Sequence, residues 1–220
     1  MNAEKFYDEK YFLKQNSCGV IQGHLNAFKF REFTKNSRVL LDFGCGSGAL
    51  LRSISQDGQI LIGIEVNPAA IEYAQASGLE VFTNLKNVVD EYVDTIISNH
   101  ALEHVENPLE TLREFLRILI PGGQLIVVVP CDKVSVPYRS NDPDMHLFSW
   151  SAGNLGNIVD VAGFEILEVG ELKHRWPPKW QLVYKTVGPR FFHLICQACA
   201  RIAPSRSQVR ILARKRTIAS

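Results

Sequence analysis

Val39-Leu40-Leu41-Asp42-Phe43-Gly44-Cys45-Gly46-Ser47-Gly48-Ala49-Leu50-Leu51 decides how the chain is read. An apolar run of strand length breaks on alternating glycines and resumes as a helix, the pattern of a buried strand turning into a covering helix. Outward from it the same alternation continues. Ile60 to Glu65 reads as a second strand, and Asn67-Pro68 opens a helix to Ala76 with Asn as cap and Pro at the first helical position. Glu80 to Thr83 and Val93 to Ser98 read as strands three and four, and Asn107-Pro108 repeats the cap-plus-proline device before a helix to Leu119. A turn at Pro121-Gly122-Gly123 leads to strand five, Gln124 to Val129; Ser151 caps a helix to Ala162 that Gly163 stops. Phe164 to Val169 and Val209 to Arg214 complete seven strands, and Val20 to Phe33 reads as a helix ahead of them. Strands alternating with amphipathic helices predict an α/β fold, a mainly parallel sheet covered on both faces.

The glycine turn sits where a ligand's charged or polar groups meet free N–H groups at a helix N-terminus. Glu65 ends the second strand 21 residues after Gly44, where a carboxylate can accept the hydroxyls of a ribose. Strand, glycines, helix and acid together predict a nucleoside site. Gly44-x-Gly46-x-x-Ala49 also fits the dinucleotide fingerprint, yet a dehydrogenase needs a substrate domain for which 220 residues leave little room.

Asp42-x-Gly44-x-Gly46-x-Gly48 resembles the glycine motif of class I S-adenosylmethionine-dependent methyltransferases. Glu65, Asp94-Thr95-Ile96-Ile97-Ser98-Asn99, Leu102-Glu103-His104-Val105-Glu106-Asn107-Pro108, Leu119-Ile120-Pro121-Gly122-Gly123 and Ala162-Gly163-Phe164 extend the match. The likeness covers about Tyr7 to Val169 plus the final strand. It implies a Rossmann-like seven-stranded sheet with an antiparallel last strand, and S-adenosylmethionine as cofactor. By the same likeness Gly44, Gly46 and Gly48 would line the methionine and ribose, Asp42 would brace that loop, and Glu65 would hold the ribose hydroxyls. Asn84 would lie near the adenine or serve as a simple turn residue, and Asn99 would face the sulfonium side. Tyr7 and Tyr11 would close over the cofactor or pack as a staple.

Methyl transfer to oxygen is an in-line displacement that needs positioning and a base, and His is the usual base near neutral pH. His104 and His146 are the candidates, on loops that open at the carboxyl ends of strands four and five. His100, Glu103, His104 and His146 together resemble the metal site of the small-RNA terminal 2′-O-methyltransferases, which carry Glu where His100 stands here. Such a set would suit one divalent transition-metal ion that lowers the pKa of the attacking hydroxyl. Glu-His pairs also shape pockets in relatives without metal.

The composition is that of an ordinary globular chain, 46% apolar and 21% charged. No apolar run reaches the length of a membrane span, the polar start reads as no signal peptide, and five cysteines without framework spacing favour a reducing cytoplasm. Cys196-x-x-Cys199 stands alone in an apolar helical stretch, which favours packing over redox or zinc chemistry. The net charge of +1 hides an asymmetry: residues 1–172 carry 13 Lys/Arg against 23 acids, while 173–220 carry 11 Lys/Arg and no acid. One domain is expected: a cap segment 1–37, a cofactor core 38–171, a basic helical insertion 172–207 between strands six and seven, and a last strand and tail 208–220. Aromatic and basic residues interleave over 176–202, which suits contact with an anionic membrane surface through the 173–216 region, or a basic lid; nucleic acid is disfavoured for want of a recognised module. The expected function is O-methylation of a small molecule or saccharide, either free or carried on a lipid phosphate, in the cytoplasm or at the inner membrane face. The alternatives are a metal-assisted RNA terminal 2′-O-methyltransferase and a catalytically silent S-adenosylmethionine-binding subunit.

Overall fold

The computed structural model describes residues 19–131, 137–140, 142, 145–202 and 207–217. Tyr7 and Tyr11 lie outside them. The strands are β1 (Val39–Phe43), β2 (Ile60–Ile64), β3 (Glu80–Phe82), β4 (Val93–Asn99), β5 (Leu119–Cys131), β6 (Phe164–Leu172) and β7 (Ser207–Lys215). The helices are α1 (Gly19–Ala27), α2 (Arg31–Thr34), α3 (Ala49–Ile54), α4 (Pro68–Ala76), α5 (Pro108–Ile118), α6 (Ala152–Ala162) and α7 (Trp180–Ile202). One sheet runs in the order β3-β2-β1-β4-β5-β7-β6, parallel throughout except for β7, which is antiparallel to both β5 and β6. This is the mainly parallel, Rossmann-like sheet with an antiparallel last strand.

Alternation along each strand feeds two cores. Val39, Leu41, Ile96, Leu125 and Val127 face one side, packed against Leu112 and Phe115 of α5 and Leu155 and Val159 of α6. Leu40, Ile97, Ile126 and Val128 face the other, packed against Leu51 and Ile54 of α3 and Ala74 of α4. A period of two with both phases apolar is what a doubly covered sheet demands. The caps form as expected: Asn67 accepts from Ala69 and Ala70 N, Asn107 from Glu110 N, and Ser151 makes a reciprocal box with Asn154.

Two segments depart from expectation, and the helical insertion takes one of its expected forms. The helix expected over Val20 to Phe33 breaks after Ala27, because Lys29 and Phe30 both turn into the interior before α2 begins. Pro121-Gly122-Gly123 is an irregularity inside β5 rather than its start: the register jumps from Val93↔Leu119 to Thr95↔Gln124. The insertion is a helix pair, since α7 is broken at Gly188 (φ 72°) before Pro189. Its inner face, Phe192 and Cys196 with Trp176, Trp180 and Tyr184, packs on Leu25 of α1.

Candidate active site

The glycine loop between β1 and α3 holds Gly44, Gly46 and Gly48 at φ 76°, 52° and 73°. A Cβ on Gly48 would stand 2.1 Å from Leu79 Cδ1, whereas one on Gly46 would meet nothing within 4 Å. Gly48 is therefore fixed by packing, and Gly46 leaves open space above the loop. Glu65 follows β2 and braces this loop: Oε2 accepts from Gly46 N at 2.8 Å, and Oε1 accepts from Val66 N at 2.8 Å and Asn67 N at 2.9 Å. The bracing expected of Asp42 thus falls to Glu65. A carboxylate offers about four acceptor positions. Three are taken by backbone, so Oε2 keeps room for one ribose hydroxyl where two had been expected.

Asp42 instead supplies an unspent acid. It is buried, its Oδ1 has no hydrogen-bond partner, and burial followed by repulsion from Glu65 holds its carboxyl well above the usual range. A buried orphan acceptor beside an open glycine loop fits a ligand carrying positive charge and N–H or O–H donors. S-adenosylmethionine, with its ammonium, sulfonium and ribose diol, has that chemistry. Asn84 caps the turn at Leu85–Asn87 by accepting from Lys86 N at 2.9 Å, which leaves its amide N–H groups and a second lone pair on its oxygen for an adenine.

Asn99 ends β4 and is held by a residue the sequence did not single out. Lys29 Nζ donates to Asn99 Oδ1 at 2.9 Å and to Gln208 Oε1 at 2.8 Å. Its one visible signal is a lysine between two phenylalanines, Phe28-Lys29-Phe30. Gln208 in turn donates to the His174 carbonyl at 3.4 Å, and His174 Nε2 lies 3.2 Å from His193 Nδ1, with Phe28 against both rings.

Glu103, His104 and His146 come together beyond β4, with ligand atoms all within 4.8 Å of one another. Backbone fixes the meeting of the two loops: Leu147 N and Phe148 N donate to the Glu103 carbonyl at 2.9 and 3.2 Å. His104 Nδ1 is 3.4 Å from the Met145 carbonyl, and the His104 and His146 rings meet edge-on at 5.1 Å. Glu103 is fully buried with neither oxygen hydrogen-bonded; its near neighbours are His100 Nδ1 at 3.4 Å and His104 Nε2 at 3.9 Å. His100 sits in the left-handed region (φ 57°) and touches Glu103 from outside the three-residue set, so the expected four-ligand group contracts to three. Burial lowers the His104 pKa, with His146 and His100 acting the same way against Glu103 and the Met145 carbonyl, which favours the neutral ring.

Cysteine chemistry plays no part in this arrangement. Cys45 and Cys196 are buried free thiols, and burial pushes the latter up to about 12.

Comparison with known proteins agrees with this geometry. The family model described as a methyltransferase domain matches residues 13–169. The ubiquinone biosynthesis O-methyltransferase of Saccharophagus degradans is 32% identical over 98 residues, 40% of this chain and 42% of the relative; that of Vibrio vulnificus is 30% identical over 103 residues, with the same shares covered. The chain thus spans less than half the length of the curated relatives it matches. Among solved structures, an S-adenosylmethionine-dependent methyltransferase from Archaeoglobus fulgidus superposes with a TM-score of 0.68 at 20% identity, over 93% of this chain and 99% of that one. Phosphoethanolamine N-methyltransferase 2 of Haemonchus contortus, bound to S-adenosyl-L-methionine, gives 0.65 at 13% identity, over 89% and 53%. These two likenesses carry the fold alone. Joined to the domain match, the glycine loop and the two acids flanking it, they identify the chain as a member of the class I S-adenosylmethionine-dependent methyltransferases.

Proposed function

We propose that this enzyme methylates an oxygen of a small molecule or saccharide that it meets at an anionic membrane surface. The observation that carries the reading is the buried meeting of His104 with Glu103 and His146 at the carboxyl end of β4. An oxygen acceptor must lose a proton as it is methylated, and a desolvated imidazole is a suitable group to receive it. When bound, S-adenosylmethionine supplies an electrophilic methyl group. Gly44, Gly46, Gly48, Asp42 and Glu65 would hold it, and Asn99 would lie at its sulfonium side. The O-methyltransferase names of the curated relatives support an oxygen acceptor.

A divalent ion is a second reading, favoured by the buried carboxylate of Glu103, which has no hydrogen bond and lies among imidazoles. Glu103, His104 and His146 would hold it with positions left open, and the ion would acidify a hydroxyl of the acceptor.

The surface of the insertion supports the membrane. Arg210, Arg214, Lys215 and Arg216 of the basic region pair with Glu168, Glu165, Glu91 and Asp160. Lys179, Lys185 and Arg201 are exposed and have no such partner among the described residues. Beside them Leu182, Phe191, Leu194 and Ile202 are 60–84% exposed, along the outer face of α7 opposite buried Phe192 and Cys196. Three cations near an anionic surface contribute about 3 kcal/mol, and aromatic insertion adds to that, enough for reversible attachment. Among the described residues no helix is long and apolar enough to cross a membrane.

Transfer of labelled methyl from S-adenosylmethionine to a panel of phenolic and saccharide hydroxyls, with His104→Ala and His146→Ala alongside, tests the chemistry. Activity on amine acceptors only, or variants with unchanged kcat, would overturn it. Chelation that abolishes turnover while cofactor binding persists selects the metal reading, and full activity in metal-free enzyme rejects it. Sedimentation should show binding to anionic vesicles that falls with salt and with Lys179→Glu and Lys185→Glu; equal behaviour on neutral vesicles would leave α7 as a lid.

A further inference from the structure

Lys29 is buried to 2% exposure, beside the end of β4, and both partners of its Nζ are neutral amide oxygens. Among the described residues no carboxylate reaches ion-pair distance, and Glu103 acts on it only from farther away. A neutral amine has two hydrogens and a lone pair, so two acceptors satisfy it. An ammonium brings a third hydrogen and a full charge into a region without a counterion in contact.

We propose that Lys29 is a positioning residue that balances the charge of the cofactor's sulfonium: a neutral amine while the sulfonium is bound, an ammonium once the methyl group has left. This rests on the methyltransferase assignment and on the sulfonium lying at the Asn99 end of β4. The reaction breaks the S–CH₃ bond with its electron pair kept by sulfur, forms the O–CH₃ bond, and frees the hydroxyl proton of the acceptor. His104 takes that proton and returns it to solvent, and Nζ takes one from solvent as the sulfonium charge disappears, so the buried region carries one positive charge before and after. The titratable groups facing Lys29 are Glu103 beyond β4, which favours its charge, and His174 beyond β6, whose own charge Lys29 disfavours; His193 on α7 stands behind His174. Burial lowers the ammonium to about 7, which puts this exchange at neutral pH. The same two hydrogen bonds tie the turn after α1 to β4 and β7, and they leave the amide N–H groups of Asn99 available to a ligand.

Proton counting provides a readout apart from turnover. Calorimetry at about pH 7 in two buffers of different ionisation enthalpy should show S-adenosylmethionine binding release up to about half a proton more than S-adenosylhomocysteine binding, which lacks the sulfonium. The affinity ratio of the two ligands should rise up to about tenfold per pH unit below about 7 and level above it. Lys29→Met should abolish both differences. Should that variant not fold, ¹³Cε-lysine resonances of the wild-type protein read the same event, with Lys29 neutral around pH 7 in the S-adenosylmethionine complex and titrating there in the S-adenosylhomocysteine complex. Equal proton release with both ligands, a difference that survives Lys29→Met, or an unmoved Lys29 resonance would overturn the proposal. Failure of both ligands to bind would instead refute the cofactor assignment beneath it.

Discussion

Replacing Glu65 by alanine removes more than a ligand contact. The carboxylate accepts from Gly46, Val66 and Asn67 N, so the substitution frees the glycine loop from the end of β2 as well as losing the remaining lone pair on Oε2. One charge-assisted hydrogen bond to a ribose hydroxyl is worth ~1.5–3 kcal/mol, and the loosened loop adds about 1 kcal/mol of ordering cost on binding. At 1.4 kcal/mol per decade the expected loss is roughly 50- to 700-fold in Kd for S-adenosylhomocysteine, read by calorimetry. Glu65→Gln is a sharper probe. Its NH₂ must face either the Gly46 N–H or the Val66 and Asn67 N–H pair, so donor opposes donor on one side. It should bind nearly as poorly as the alanine variant, and the unmet N–H should cost about 1–3 kcal/mol of stability as well. A Kd within threefold of wild type in either variant would refute the role given to Glu65.

Gly46 and Gly48 should separate binding from stability. Gly48→Ala pays the left-handed backbone penalty of ~1–2 kcal/mol plus the clash with Leu79, so unfolding should shift by roughly 2–4 kcal/mol; Gly46→Ala should cost about 1 kcal/mol of stability yet weaken cofactor binding more. Denaturant titrations beside calorimetry check both, and equal stability losses would contradict the packing argument. Burial, then Lys29 and His193, lowers His174 from 6.5 to about 3. The unfolded chain therefore binds the proton more readily, and this stability, present above about pH 6.5, is lost as pH falls toward 3. His174→Phe should flatten the urea midpoint over that window, and an unchanged slope would show that His174 is not the group responsible.

What was legible in the sequence is what local chemistry dictates. The glycine loop and the caps at Asn67, Asn107 and Ser151 each rest on residues within a few positions of one another, Glu65 follows the next strand 19 residues after Gly46, and each stands where it was expected. Lys29 was not legible, because its burial depends on Asn99 and Gln208, 70 and 179 residues away. The break after Ala27 follows from the same long-range contacts. The contraction of the histidine group was hidden for a related reason: spacing alone does not reveal that His100 takes a left-handed backbone while His104 meets His146 across a loop. The basic C-terminal region divides only in three dimensions, where β7 spends its cations on the protein's own acids while Lys179, just before α7, and Lys185 and Arg201 within it face outward.

The most direct test of the central claim is a crystal structure of the chain with S-adenosylhomocysteine. It should hold the ribose on Glu65, the amino-acid arm along Gly44 to Gly48 near Asp42, and the sulfur beside Asn99 on the side of His104. A nucleoside seated away from Glu65, or a sulfur turned from the end of β4, would contradict the account.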